Sequence, residues 1–221
     1  MSSLAVFYTK ILAVLDELKL TDNCRNQRRL PMMTDKSLIA LSLAAECCSI
    51  DSERHLFKQL PDAVEGRIER SVYNRRRRAL QKDIEEIRQV LAQSLDRNKT
   101  LYLVDSMPVE VCKLSRARRS KICREDPDIA PDKSYCASQK TWYYGYKLHA
   151  TCTPDGVVQA FDLSRASVHD IHYLNDIQHQ FSNCILVGDK GYISQQWQAD
   201  LFKTKAVSLK TPPRKNQPNL P

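Results

Sequence analysis

Two apolar, β-rich runs in the second half of the chain each end on an aspartate: Leu101-Tyr-Leu-Val closes at Asp105, and Cys184-Ile-Leu-Val-Gly closes at Asp189. Carboxylates delivered at the ends of neighbouring strands repel one another unless a cation lies between them, and hard oxygen donors suit Mg2+ or Mn2+ rather than zinc. Two such ions activate a water or a 3′ hydroxyl and steady the leaving oxygen of a phosphodiester, which is in-line phosphoryl transfer. The competing reading is that acids at strand ends are common turn formers and helix caps. Local context favours the chemical reading for Asp189. Gly188 and Gly191 flank it in Val187-Gly-Asp-Lys-Gly-Tyr192 and let a backbone or substrate come close, with Lys190 available to a phosphate.

Other polar groups suit contact with a polyanion. Lys113, Arg116, Arg118, Arg119, Lys121 and Arg124 cluster close after Asp105, where contact with nucleic acid backbone is expected, chiefly from Arg116, Arg118 and Arg119. Arg75 to Arg78 form a second run, but four consecutive arginines on a helix point all around it, and a solvated face is the commoner outcome. Lys147 and His149 share one side of a predicted strand and offer further donors to phosphate; a satisfied core histidine is the equal alternative for His149. Eight cysteines make no CxxC pair, so neither a zinc ribbon nor a disulfide framework is expected, and a meeting of Cys123, Cys136 and His149 at a metal is set aside.

The elements that must position these groups fall into two kinds. Up to about Asp96 apolar residues recur at helical spacing: Leu4, Phe7, Ile11, Leu15 and Leu18 in one stripe, Leu38, Leu41 and Ala45 in another. Thr34 and Ser52 stand at expected N-caps, and a long helical pattern occupies residues 67–95. After Lys99 the period becomes strand-like. Pro108 is expected to close the first strand, and a charged connection follows to Ser138. Trp142 to Cys152 alternates, with Tyr144, Tyr146, Leu148 and Ala150 on one face and Lys147, His149 and Thr151 on the other. Thr153-Pro-Asp-Gly156 turns the chain into a second hairpin arm. Then come a helix from Asp170 to Phe181, the run ending at Asp189, a helix capped by Ser194, and a last strand from Ala206 to Leu209. Strand, hairpin, helix, strand, helix, strand suits a ribonuclease H-like mixed β-sheet flanked by helices, an α/β fold preceded by an all-helical module. The expected division is 1–98 for the helical module, with a probable role in binding DNA ends, and 99–221 for the catalytic domain. In that fold the first and fourth strands are neighbours, which would bring Asp105 and Asp189 together.

Composition agrees with a globular chain that meets a polyanion. Apolar residues make up 42% and charged residues 27%, which excludes disordered and collagenous classes, and 34 Lys+Arg against 26 Asp+Glu give +8, which favours nucleic acid as partner. Apolar runs break well before the ~18 to 20 residues a bilayer crossing needs, so no membrane association is expected.

Four ordered blocks, Leu103-Val-Asp-Ser-Met-Pro-Val109, Trp142-Tyr-Tyr-Gly-Tyr-Lys-Leu-His149, Ser167-Val-His-Asp170 and Val187-Gly-Asp-Lys-Gly-Tyr192, resemble the successive blocks of bacterial insertion-sequence transposases of the DDE type. The likeness is strongest from about Leu101 to Leu209; the front, including Ser71-Val-Tyr-Asn74, resembles more weakly the helical region those enzymes place first. The resemblance implies metal-dependent DNA strand cleavage and strand transfer, with Asp105 and Asp189 matching the first two metal-binding, catalytic acids and Mg2+ or Mn2+ as cofactor. It implies as partners the DNA ends of a mobile element and a target, a homo-oligomer, and a bacterial cytoplasmic, nucleoid-associated setting. One departure bears on activity. The family's third acid is a glutamate on a helix beyond the last strand, whereas after Asp189 this sequence holds only Asp200, and no Glu follows Glu125. Asp170 belongs to a separate block, and Asp162 and Asp176 read as helix-flanking or solvent-facing acids, so none is taken as a substitute. The expectation is a truncated transposase of weak or no activity. Its alternative is a non-catalytic DNA-binding remnant that competes with an intact transposase for element ends.

Overall fold

Helical spacing at the front of the chain becomes helix where a cap starts it. The computed structural model describes residues 3–24 and 29–213; residues 214–221, the end of the expected catalytic domain, lie outside the described residues. Helix α1, Ser3–Glu17, buries Leu4, Tyr8 and Leu15. Helix α2, Asp35–Cys47, begins where the Thr34 hydroxyl accepts from the Ser37 N–H at 3.1 Å, and the short α3, Glu53–Leu56, begins where Ser52 accepts from His55 N–H at 3.4 Å. The long pattern of residues 67–95 divides into α4, Arg70–Ala79, and α5, Gln81–Leu95, with a break at Leu80, which caps α4 and is fully buried.

The four consecutive arginines separate by direction, as residues 100° apart on a helix must. Arg76 points inward: Nη2 meets Asp35 Oδ1 at 2.6 Å and Nη1 donates to Met33 O at 2.8 Å. Asp35 is buried, and Cys24 N–H donates to its other oxygen at 3.1 Å, so the charge is satisfied from two elements. Arg77 faces Glu53 and Glu46, while Arg75 and Arg78 line a cleft with Glu53 and Glu69. The chain divides into two units, Met1–Val90 and Leu91–Pro221, beside an expected division at 98/99.

The second unit is a six-stranded mixed sheet. Its central strand β1, Leu101–Cys112, pairs antiparallel with β3, Thr141–Cys152, on one side and parallel with β5, Ile185–Gly188, on the other. Strand β6, Ser208–Lys210, adds in parallel to β5. Two strands share the outer edge of β3 end to end: β2, Asp132–Cys136, and β4, Val158–Arg165. The path β4-β3-β1-β5-β6 is the expected ribonuclease H-like order, with β2 as an addition inside the stretch read from sequence as a charged connection.

Pro108 does not close β1, which runs through it to Cys112 in register with Lys147 opposite. Pairing to β5 stops at Val104, so beyond that point β1 has an open edge where a residue lacking N–H breaks no ladder. The expected helix from Asp170 is a 3₁₀ turn, Asp170–Tyr173, leading into α6, Leu174–Gln180. Helix α7, Gln195–Lys205, is capped as expected, with Ser194 Oγ accepting from Trp197 N–H at 3.3 Å. Tyr102, Val104, Leu186 and Leu209 of the sheet pack with Leu174 and Ile177 of α6 and Leu201 of α7 in a buried core. The alternate residues Leu103 and Met107 of β1 and Ile185 and Val187 of β5, with Phe161 and Leu163 of β4, are exposed. No helix among the described residues is long and apolar enough to cross a membrane.

Candidate active site where two parallel strands part

Parallel pairing of β1 and β5 puts Val104 opposite Gly188, so Asp105 and Asp189 each stand one residue beyond the last paired position. Both are exposed. Asp189 is also the cap of a 3₁₀ turn, Lys190–Tyr192, its Oδ1 accepting from Gly191 N–H at 2.8 Å. The capping and ligand readings therefore meet in one side chain: one oxygen fixes the carboxylate, and Oδ2 takes no donor among the described residues. Asp105 is fixed in the same way, Oδ1 accepting from the Ser106 N–H at 2.7 Å.

A third carboxylate joins them. Asp170 Oδ1 accepts from Ser106 Oγ at 3.1 Å and from Lys147 Nζ at 2.9 Å, and Lys147 also donates to Val168 O at 2.8 Å. The other oxygen faces Gly191: a Cβ built there would stand 2.9 Å from both Asp170 Oδ2 and Asp189 Oδ1. Glycine is needed at 191 for that close approach, since its backbone has no positive φ to require it. Asp170 thus ties together the strand that carries Asp105, the strand that carries Lys147, and the turn that follows Asp189. Among the described residues no three His, Cys, Asp or Glu side chains are arranged to hold a metal, so these acids form no closed cage, and neither do Cys123, Cys136 and His149.

Beneath the carboxylates lies a buried polar column. Tyr192 is fully buried, and its phenol is driven far above the usual range, first by burial and then by negative charge on Asp170, Asp105 and Asp189. Negative charge on all three acids thus bears on one buried hydroxyl. His149 Nδ1 lies 3.4 Å from the Tyr192 hydroxyl, Nε2 lies 2.8 Å from Ser164 Oγ, and the ring stacks on Tyr173 at 4.9 Å between centroids. Burial lowers the His149 pKa, and Asp170 opposes that shift, so the imidazole is held toward its neutral form.

The remaining sequence-predicted groups divide. Lys190 is exposed beside Asp189. Arg116, Arg118 and Arg119 are exposed on a 3₁₀ turn, Leu114–Arg119, which Ala117 anchors by burial. Lys147, partly buried, pairs with Asp170, and His149, at 1% exposure, takes its partners from inside the protein. Sequence reasoning assigns no role to Ser106 or Tyr192, reads Gly191 only as room for a close approach and does not take Asp170 as a ligand; the clue to their meeting is membership of three different blocks that need one common point.

The donor set suits a divalent cation. Two exposed carboxylates with hard oxygens are what Mg2+ takes from a protein when the rest of its shell is water and substrate phosphate. The concentration of negative charge felt by Tyr192, with Lys147 as its internal counter-ion, fits such a cation as well.

Comparison with known proteins adds the following. A family model described as Transposase DDE domain matches residues 96–218, more than half of the chain. No curated protein matches it. A solved structure described as "Mos1 transposase paired-end complex with left transposon end" is similar at 11% identity over 95% of this chain and 78% of that one, with a TM-score of 0.28, too slight a likeness to weigh.

Proposed function

The chain belongs to the Transposase DDE domain family, and from that premise we propose that it is a DNA transposase whose site is built on Asp105 and Asp189. The observation that carries this reading is the parallel register of Val104 with Gly188, which delivers both acids to one edge of the sheet. Asp105 and Asp189 would hold Mg2+ or Mn2+, which when bound supplies charge neutralisation at the scissile phosphate and a more acidic attacking hydroxyl. The chain's own residues do the positioning. Gly191 N–H and Ser106 N–H orient the two carboxylates, Asp170 and Lys147 brace the strands behind them, and buried Tyr192 forms the floor. Lys190, with Arg116, Arg118 and Arg119, draws in the DNA backbone. Water attacks phosphorus and the 3′ oxygen leaves with a proton; the freed 3′ hydroxyl then gives up its proton as its oxygen bonds to a phosphorus of target DNA, and the target's own 3′ oxygen leaves with a proton, so that one strand joins the other. The helical first unit, in this reading, grips the DNA ends.

The test is Mn2+-dependent nicking of a plasmid that carries the coding region and its flanks. With the family's third acid missing, the wild-type chain is expected to nick only slowly, and Asp105→Asn and Asp189→Asn to abolish that nicking while salt-sensitive DNA binding stays within about threefold. Nicking by the variants at the wild-type rate, absence of nicking by the wild-type chain, or loss of binding in the same proportion as nicking would each overturn the assignment.

A further inference from the structure

The basic segment after β1 is shaped, not merely charged. Arg116, Arg118, Arg119, Lys121 and Arg124 are all exposed, and none forms an ion pair among the described residues. A 3₁₀ turn has three residues per turn, so Arg116 and Arg119 eclipse on one side while Arg118 points a third of a turn away. Two clefts result. The first, about 310 Å3, is lined by Arg116, Arg119 and Lys121 against Val111 and Cys112 of β1. The second, about 370 Å3, is lined by Arg118, Arg124 and Arg165 with the ring of Tyr144. Ser120 and Ile122 line both, so the clefts stand back to back across one wall.

Arg165 of the second cleft is held in place by an acid of β2. Arg165 spends Nη2 on Asp132 Oδ2 at 3.1 Å, but its Nε is buried with no partner among the described residues. Arginine forks suit phosphate oxygens by geometry as well as charge. A single inorganic phosphate or a mononucleotide would need one such cleft; two that share a wall suit neighbouring phosphates on one polymer.

We propose that these clefts are paired phosphate sites that hold successive backbone phosphates of a DNA strand laid along the Leu114–Arg119 turn, one held by Arg116, Arg119 and Lys121 and the next by Arg118, Arg124 and Arg165. The assignment rests on the transposase reading and gives it a specific DNA track outside the carboxylate site. Tyr144, at the wall of the second cleft, lies against the sugar of the held nucleotide.

The experiment is fluorescence anisotropy of the full chain with a 30-base-pair duplex from about 50 to 250 mM NaCl. The variants are Arg116→Ala/Arg119→Ala, Arg118→Ala/Arg124→Ala, and Lys203→Ala/Lys205→Ala on α7 as a control of equal charge; the four arginines are exposed, so folding is not at stake. Each cleft variant is expected to weaken binding roughly 10- to 100-fold at low salt and to make the slope of log K against log salt shallower by about 1 to 2, with the control within about twofold. Inorganic phosphate at ~10 mM, ionic strength held constant, is expected to leave DNA affinity unchanged; displacement of DNA by it would assign the clefts to free phosphate and overturn the proposal. Cleft variants no weaker than the control overturn it too, and if Asp105-dependent nicking persists in them the transposase reading stands. A chain that binds no duplex overturns both.

Discussion

Replacing Lys147 with Met removes the ammonium facing Asp170 while keeping the length of its stem. Nζ lies 2.9 Å from Asp170 Oδ1, and the two side chains are 18% and 21% exposed. At an effective dielectric of 20, unit charges at that separation attract by roughly 6 kcal/mol, most of which is offset by desolvation of both groups. Deleting one partner costs about 0–1 kcal/mol for exposed pairs and about 3–5 kcal/mol for buried ones. This pair stands nearer the buried limit, and the carboxylate left behind faces Asp189 across Gly191 with no cation beside it. Lys147→Met is therefore expected to cost about 2–3 kcal/mol. Asp170→Asn should cost about 1–2 kcal/mol, because an amide oxygen still accepts from Ser106. The double variant should cost little more than Lys147→Met alone, a coupling of about 1–2 kcal/mol. Urea unfolding of the four proteins at pH 7, in 0.1 M and 1 M NaCl, measures it; a partly buried pair should lose little of its coupling to salt. Single-variant costs that add to within about 0.3 kcal/mol would refute the reasoning, for Asp170 and Lys147 would then be neighbours without a shared role.

Three further outcomes are expected. Gly191→Ala places a methyl 2.9 Å from two carboxylate oxygens and must turn one of them, so it should lower stability by about 1–3 kcal/mol and nicking at least tenfold; full activity with an unchanged urea midpoint would mean the close approach is not needed. His149 has a folded-state pKa below its unfolded value of about 6.5, so the unfolded chain takes up a proton first and stability is lost as pH falls from about 6.5 through the folded pKa. Thermal melts at pH 7.5 and 5.5 should show a smaller acid-induced drop for His149→Gln than for the wild-type chain, and equal drops would count against it. Asp35→Ala strands the Arg76 guanidinium inside the helical unit and should cost about 3–5 kcal/mol by urea denaturation, whereas a loss under 1 kcal/mol would show that Arg76 finds solvent instead.

Local chemistry in the sequence was enough to determine where several helices begin. Thr34, Ser52 and Ser194 cap the helices they precede, because a hydroxyl three residues upstream of an orphan N–H is a local arrangement. Asp189 follows the end of β5 for an equally local reason, the apolar run stopping where the acid begins, whereas Asp105 lies inside β1, just past that strand's pairing with β5, and strand order makes the two runs neighbours. The failures were local rules overruled by distant partners. Pro108 passes through β1 because the strand has lost its neighbour on that edge, and β2 forms in a charged stretch because the edge of β3 beyond β4 offers it a ladder. Alternation along β3 put Lys147, His149 and Thr151 on one face but carried no sign of which face is buried. The packing of Tyr173 on His149 and the arrival of Asp170 at Lys147 decided that the polar face goes inside. The same holds for Arg76 and Asp35, which meet across 41 residues, and for Ser106 and Asp170, across 64. Periodicity and capping act over a few residues and are written in the order of the chain; the choice of partner for a buried charge is made only when separate elements pack, as it is for Lys147 and Asp170.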